Sequence, residues 1–398
     1  MFSLRNKLSP NLNIAVANKY YKNYRVIIHC KNMCDKISNK ILSYKGLVIR
    51  YIPSIQCISA YISSHIIERL LEYPQVDYIT FDDFSLLCGS SVLAANGLHQ
   101  RSSNKFTGKG VTLGVVDSGV YPHPDLTNPQ SKIVKFLDLI NDLKYPYDDN
   151  GHGTFISGLI CGNGYRSKGM YKGIAEDSKI YMIKAFNKIG KGYISDVLFA
   201  IDTLLLEAEE NNLRILCLPF ELVDNDYFIL NLFSDLFEIA INKNIIIVVP
   251  TGHNGATEGS MRGIATLKNC ITVNGLDTRS NIIKPCSFAS LGPAGKYEKP
   301  DLSAACEDIC SLRADVTYIS ENNGRKLYPK NLDNPYTTYS GTSCSAAYIA
   351  GVCALYLENN NKLVFKDLQS LLSISCKLHD MSRNNQGAGT IDLYRTLQ

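Results

Sequence analysis

No stretch of this 398-residue chain approaches the roughly 18 to 20 consecutive apolar residues of a membrane-spanning helix. The opening segment MFSLRNKLSPNLNIAVANKYY lacks the continuous apolar run followed by small residues that marks a secretory signal, so the expected compartment is the cytoplasm and no membrane partner is expected. Basic segments interleaved with aromatics are also missing, and a formal net charge of +4 is small for this length; nucleic acid is not an expected partner. The 13 cysteines are scattered and include no CxxC pair, only the CxxxC spacings of Cys30 with Cys34 and Cys306 with Cys310. Buried reduced thiols are therefore expected, rather than a disulfide framework or a metal site. Internal repeats and low-complexity tracts are absent too. What is present is ample core material: 45% of residues are hydrophobic, and the length suits two domains.

The chain divides near residue 95. Ahead of that point, YRVIIHC (24–30), ISNKILSY (37–44), GLVIRY (46–51), IQCISAYI (55–62), HIIERLLEY (65–73) and QVDYITF (75–81) read as strand, helix, strand, strand, helix, strand. This split βαβ order predicts a small α+β, ferredoxin-like domain. Residues 86–106, LLCGSSVLAANGLHQRSSNKF, are rich in Ser, Gly and Asn and suit an exposed connection with room for one helical turn. The expected division is thus 1–95 for the small domain with its linker and 96–398 for the rest.

Beyond the linker, VTLGVV (111–116), KIYMIKAF (179–186), RILCLPF (214–220), IIIVVP (245–250) and CITVNGL (270–276) are apolar runs too short for helices. Strands of that kind are covered on both faces and belong to parallel sheets. Between them, SDVLFAIDTLLLEAEENN places Val197, Leu198, Ile201, Leu204, Leu205 and Ala208 on one helical face from an N-cap at Ser195, and a second helix starts at Phe228. Strand and helix in alternation predict a doubly wound α/β domain with a mostly parallel sheet and helices on both faces.

Reactive groups in such a fold sit at strand carboxyl ends and helix amino ends. Asp117 ends the first strand in VVDSG, His152 opens an apolar helical stretch in DDNGHGTFISG, and Ser343 starts a long small-residue helix in YSGTSCSAAYIAGVCALYLE. Singly, each has a bland reading: an Asp before Ser-Gly is a turn residue, a His between glycines fills a polar corner, a Ser caps a helix. Together they supply a hydroxyl nucleophile, a base to take its proton and a carboxylate to fix the tautomer of that base. The order Asp, His, Ser differs from the Ser, acid, His order of α/β-hydrolases, whose G-x-S-x-G is absent, and from the His, Asp, Ser order of chymotrypsin-like enzymes.

Over residues 108–398 the chain resembles the subtilisin-like serine proteases. GKGVTLGVVDSGVYPHPDL is similar to the aspartate block of that family, DDNGHGTFISG to its histidine block and YSGTSCSAAYIAG to its serine block; GIAEDSKIYMIKAF, CSFASLG and KPDLSAACEDICS extend the match. The resemblance implies Ser343 as nucleophile, His152 as general base and Asp117 as its orienting carboxylate. It also implies that the small first domain is a propeptide that assists folding and acts as an intramolecular inhibitor of a zymogen, with self-cleavage between about residues 82 and 105. GKG (Gly190 to Gly192) and LPFE (Leu218, Pro219, Phe220, Glu221) align with the two backbone edges to which the family adds substrate as an extended strand. Glu221 stands where a glycine is usual and suggests a modest preference for basic side chains near the cut.

The chain departs from the family at several points. VVPTGHNG puts His253 in place of the asparagine that donates to the oxyanion, so His253 or the adjacent Asn254 is expected to supply the donor. Phe155, Cys344, Ala347 and the run Ala304, Ala305, Cys306 replace other usual residues without removing a reacting group. GNGYRSKGMYKG (162–173), where a family calcium loop would fall, is basic and lacks carboxylates, so no calcium is expected there, while structural calcium elsewhere is left open; the chemistry requires no cofactor or metal. The expected function is a serine endopeptidase acting on peptide or protein substrates. The alternative is a pseudoprotease that binds or regulates a protein partner through the same groove. Turnover of many proteins and trimming of one precursor's leader remain equally open.

Overall fold

The computed structural model describes residues 7–82, 90–97, 105–222, 225–280, 282–293, 297–395 and 397, and the chain divides into two units, Met1–Cys88 and Gly89–Gln398. The first contains α1 (Pro10–Ala17), β1 (Tyr24–Cys30), α2 (Cys34–Ser43), β2 (Leu47–Ile52), β3 (Cys57–Ile62), α3 (Ser64–Leu71) and β4 (Val76–Phe81). Its strands form one antiparallel sheet in the order β2-β3-β1-β4. Strand β1 buries Tyr24, Val26, Ile28 and Cys30 and exposes Arg25 and His29, the period of two that a one-faced sheet requires. The helices close that face with Ile37 and Ile41 of α2 and Ile66, Ile67 and Leu70 of α3. Strand and helix order from β1 onward is the one read from the sequence. Helix α1 was not anticipated, although Pro10 sits in its first turn and Leu12, Ala15 and Val16 form its buried side.

The second unit runs β5 (Ser90–Ser91), α4 (Val92–Ala95), β6 (Thr112–Asp117), α5 (Pro124–Thr127), β7 (Ile133–Asp138), α6 (His152–Cys161), β8 (Lys179–Lys184), α7 (Ile194–Leu206), β9 (Leu213–Cys217), α8 (Tyr227–Asn242), β10 (Ile246–Pro250) and β11 (Ile271–Asp277). It continues through β12 (Lys284–Pro285), β13 (Leu302–Ala305), β14 (Ile309–Leu312), the hairpin β15 (Glu321–Asn322) and β16 (Arg325–Lys326), and β17 (Tyr336–Tyr339). Helices α9 (Thr342–Asn359) and α10 (Phe365–Ser375), then β18 (Cys376–Lys377), α11 (Arg383–Gln386) and β19 (Thr390–Ile391), complete it. The boundary at Gly89 differs from the expected 95: β5 pairs with β14, and Val92 of α4, the one helical turn expected in the connection, enters the main core.

The central sheet has the order β18-β19-β13-β11-β10-β9-β6-β8-β7. From β13 to β7 every neighbouring pair is parallel. Strand β6 is the switch point: β8 and then β7 lie on one side of it, and β9, β10 and β11 follow on the other. Side chains alternate strictly between two cores. Leu113, Val115, Ile180, Met182, Ile246 and Val248 join α6 and α9, while Val116, Tyr181, Ile183, Ile247 and Val249 join α7 and α8. This is the doubly wound arrangement with helices on both faces. Helix α7 starts one residue before Ser195, after an extended Tyr193 with no side-chain cap; α8 is capped by Asp226, whose Oδ1 accepts the amides of Phe228 and Ile229.

Every described cysteine is buried and free. Loop 162–173 does not suit a hard cation: its Arg166 donates to the Asn331 and Leu332 oxygens and its Lys172 pairs with Glu176. The nearby Asp125 carboxylate already accepts the Arg166 amide and the Tyr336 hydroxyl. Among the described residues no group of three or more His, Cys, Asp or Glu is arranged to hold a metal.

Candidate active site

Asp117 is the last residue of β6, at the carboxyl edge of the switch point, where adjacent connections leave on opposite sides of the sheet and open a crevice. His152 is the first residue of α6 and Ser343 the second of α9, so two helix amino ends converge on that crevice. His152 Nδ1 lies 2.9 Å from both Asp117 oxygens, and its Nε2 lies 3.0 Å from Ser343 Oγ. A carboxylate only accepts, so Nδ1 carries the proton and Nε2 accepts from the serine hydroxyl. Burial alone would lower the His152 pKa; the charge of Asp117 and its hydrogen bond together outweigh that and hold it above the ordinary imidazole value. Tyr339 stands edge-on to the imidazole with ring centres 5.7 Å apart.

Two glycines explain the GHG sequence. Gly151 has φ of 102°, a left-handed conformation that turns the chain into α6. A Cβ on Gly153 would stand 2.1 Å from the Gly119 carbonyl, so only glycine lets the helix start pack against the loop after Asp117. Asp148, fully buried, fastens the approach to this helix. Its Oδ1 accepts from Ser118 Oγ and the amides of Asn150 and Gly151; its Oδ2 accepts from the amide and hydroxyl of Thr154. Ser118 Oγ in turn accepts the Gly153 amide. Lys184, also fully buried, donates to the carbonyls of Ser118 and Phe186 and to Asp149. Sequence reasoning missed Asp148, Ser118 and Lys184. The available signal was a lysine inside an otherwise apolar strand with two acids opening the second block.

The cleft beside the triad has a volume of about 650 Å³, room for several side chains of an extended peptide. Gly190, Pro219, Phe220, Glu221 and His253 line it; Gly192, Leu218 and Asn254 do not. Leu218 is buried and follows β9, which ends at Cys217 instead of reaching 220. A Cβ on Gly192 would meet the Ala185 carbonyl at 2.4 Å, so its glycine serves chain packing. The loop expected to supply an oxyanion donor is turned otherwise. His253 Nε2 accepts the Thr342 amide at 3.0 Å, which leaves no proton on that nitrogen. Burial, partly offset by Glu221, lowers the His253 pKa and favours this neutral ring. The Asn254 amide group donates to Glu221 and to Ser290 Oγ. Glu221 Oε2 also accepts the His253 backbone amide at 2.8 Å, so the carboxylate clamps this loop. The proton of His253 is then on Nδ1, which has no partner among the described residues, whereas the Asn254 side chain is engaged within the protein.

This site lies on a chain whose residues 108–389 match the model of the Subtilase family. Serine protease AprX of Bacillus subtilis (strain 168) is 32% identical over 305 residues, covering 73% of this chain and 67% of that protein. Among solved structures, the S41 psychrophilic protease superposes with a TM-score of 0.62 at 21% identity, over 77% of this chain and all of that one. The epidermin leader peptide processing serine protease of Staphylococcus aureus gives 0.58 at 17% identity, over 95% and 100%. The structural likenesses bear on fold alone. With a family match across most of the chain and a serine protease as a relative above 30% identity, the chain belongs to the subtilase family and is a subtilisin-like serine endopeptidase.

Proposed function

We propose that the enzyme cleaves peptide bonds through an acyl-enzyme formed on Ser343. The observation that carries this reading is the unbroken hydrogen-bond series from Asp117 through His152 to Ser343. Ser343 Oγ gives its proton to His152 Nε2 and adds to the scissile carbonyl; Asp117 stabilises the imidazolium, which then protonates the departing amine. Water, deprotonated by the same imidazole, releases the acyl group. The developing oxyanion is met by the Ser343 amide, one of the first N–H groups of α9 and so without an acceptor inside the helix. The relatives named above are proteases, which leaves the pseudoprotease alternative without support.

We further propose that the first unit is a propeptide and that the chain processes itself between about residues 82 and 105, a segment mostly outside the described residues. Support comes from its separate antiparallel fold ahead of the catalytic unit. Buried free thiols suit a reducing compartment, and we place the enzyme in the cytoplasm. Intact-mass measurement of the purified wild type and Ser343→Ala, with peptide hydrolysis on both, tests the reading. Processing and turnover are expected in the wild type only, with turnover in Ser343→Ala reduced on the order of 10⁶-fold, the loss known for subtilisin itself. A wild type that stays full length and hydrolyses no peptide would overturn it.

A further inference from the structure

We propose that Arg313 makes the cleft selective for a carboxylate on the leaving-group side of the scissile bond. The inference rests on the endopeptidase reading. His152 protonates the departing amine, so the cleft wall packed beside His152 is the wall along which the leaving segment runs. Tyr339 of β17 stands against the His152 ring. A Cβ at Gly151, the residue before His152, would lie 3.7 Å from Val316 and 3.9 Å from Ala314. Arg313, Ala314 and Val316 all line the cleft. They follow β14, which pairs with β17 through Leu312 and Tyr336.

The charge of this wall is not balanced by the protein. The charged side chains lining the cleft, apart from the triad and His253, are Glu221 and Arg313. Glu221 is engaged with the 253–254 loop. Arg313 is exposed, and its bond within the protein is the backbone amide to the Pro335 carbonyl at 3.0 Å. Among the described residues its guanidinium has no hydrogen-bond or ion-pair partner. Asp315, two residues on, turns its Oδ1 to the amide and hydroxyl of Thr317. The backbone of Arg313 is held at the cleft wall while the five N–H donors of its side chain are unpaired among the described residues, and a planar fork of that kind matches a carboxylate.

A carboxylate can come from an Asp or Glu side chain or from the free C-terminus of a short substrate. The test compares wild-type kcat/KM on peptides sharing one acyl-side sequence, with Glu, Gln or Lys at each of the first three leaving-side positions, both with amidated ends and with free ends. We expect Glu over Gln by about five-fold at one position, the upper range for an exposed ion pair, and Lys below Gln. The ratio should shrink as salt is raised. Arg313→Gln should abolish the ratio and Arg313→Glu invert it in favour of Lys; each ratio is read within one preparation, so a partly unfolded variant does not distort it. Preference for free ends without preference for Glu would assign the terminal carboxylate as the ligand. Equal rates for Glu, Gln and free or amidated ends in the wild type would overturn the proposal while turnover itself upholds the endopeptidase reading; no turnover of any peptide would sink the latter.

Discussion

His152 must be neutral to accept the Ser343 proton, so the position of its pKa sets the acid limit of activity. Asp117 raises that pKa against the effect of burial, and kcat/KM is therefore expected to fall on the acid side at a higher pH than an ordinary imidazole, near 6.5, would dictate. In Asp117→Asn both contributions of Asp117 vanish, while burial and the smaller raising effect of the Asp148 charge remain. The acid limb should move to lower pH, while the plateau rate drops on the order of 10⁴-fold because the amide no longer holds the proton on Nδ1. A pH profile of kcat/KM for both proteins checks the two effects separately; an unmoved limb would mean that Asp117 does not set the ionisation of His152. His253 illustrates the opposite sign. Burial depresses its pKa, and its neutral Nε2 takes up the amide of Thr342, the residue before the nucleophile. A histidine in the place of the family's asparagine thus commits its Nε2 to the backbone at the start of α9.

At the scale of elements, the site depends on how α6 is fastened to the loop after β6. Asp148 collects five donors from four residues in that junction and is shielded from solvent. Asp148→Asn keeps the shape but turns an N–H₂ toward N–H donors, leaving buried groups unpaired. The expected cost is about 2–4 kcal/mol of stability, with kcat reduced more than KM changes, since α6 carries His152. Denaturant melts and steady-state kinetics read the two; wild-type stability in this variant would show the junction is held elsewhere. This junction also marks the limit of what the sequence discloses. Strands β6, β8, β9, β10 and β11 are legible because burial on both faces leaves an unbroken apolar run. Strand β7, Ile-Val-Lys-Phe-Leu-Asp, is half exposed at the sheet edge and reads as neither run nor clean alternation. Strands β13, β14 and β17 are four residues each, too short for either pattern to show; the first two fall in a stretch noted only for its family resemblance. The triad was legible as three reactive types at element ends. The polar hub around Asp148 was not, because a buried acid and an exposed one look alike until the loop is folded.

Over the whole molecule, both units bury their described thiols. Cys30 and Cys34 lie in the core of the first unit, and Cys161, Cys217, Cys344, Cys353 and Cys376 in the core of the second. Burial also raises the thiol pKa values, to about 12 for Cys30, Cys161, Cys344 and Cys376 and about 11 for Cys310. Alkylation requires both access and the thiolate, and the fold withholds each. Of the 13 cysteines in the sequence, every described one is buried, and Cys88 lies outside the described residues. Full-length Ser343→Ala, kept reduced and treated briefly with iodoacetamide at neutral pH, is therefore expected to gain at most one adduct by intact mass. The same protein in denaturant should gain all 13. Several adducts on the native chain would mean that one of the two cores opens on the timescale of labelling. Peptide mapping would then show which one, since Cys30, Cys34 and Cys57 report on the first unit and the later cysteines on the catalytic unit.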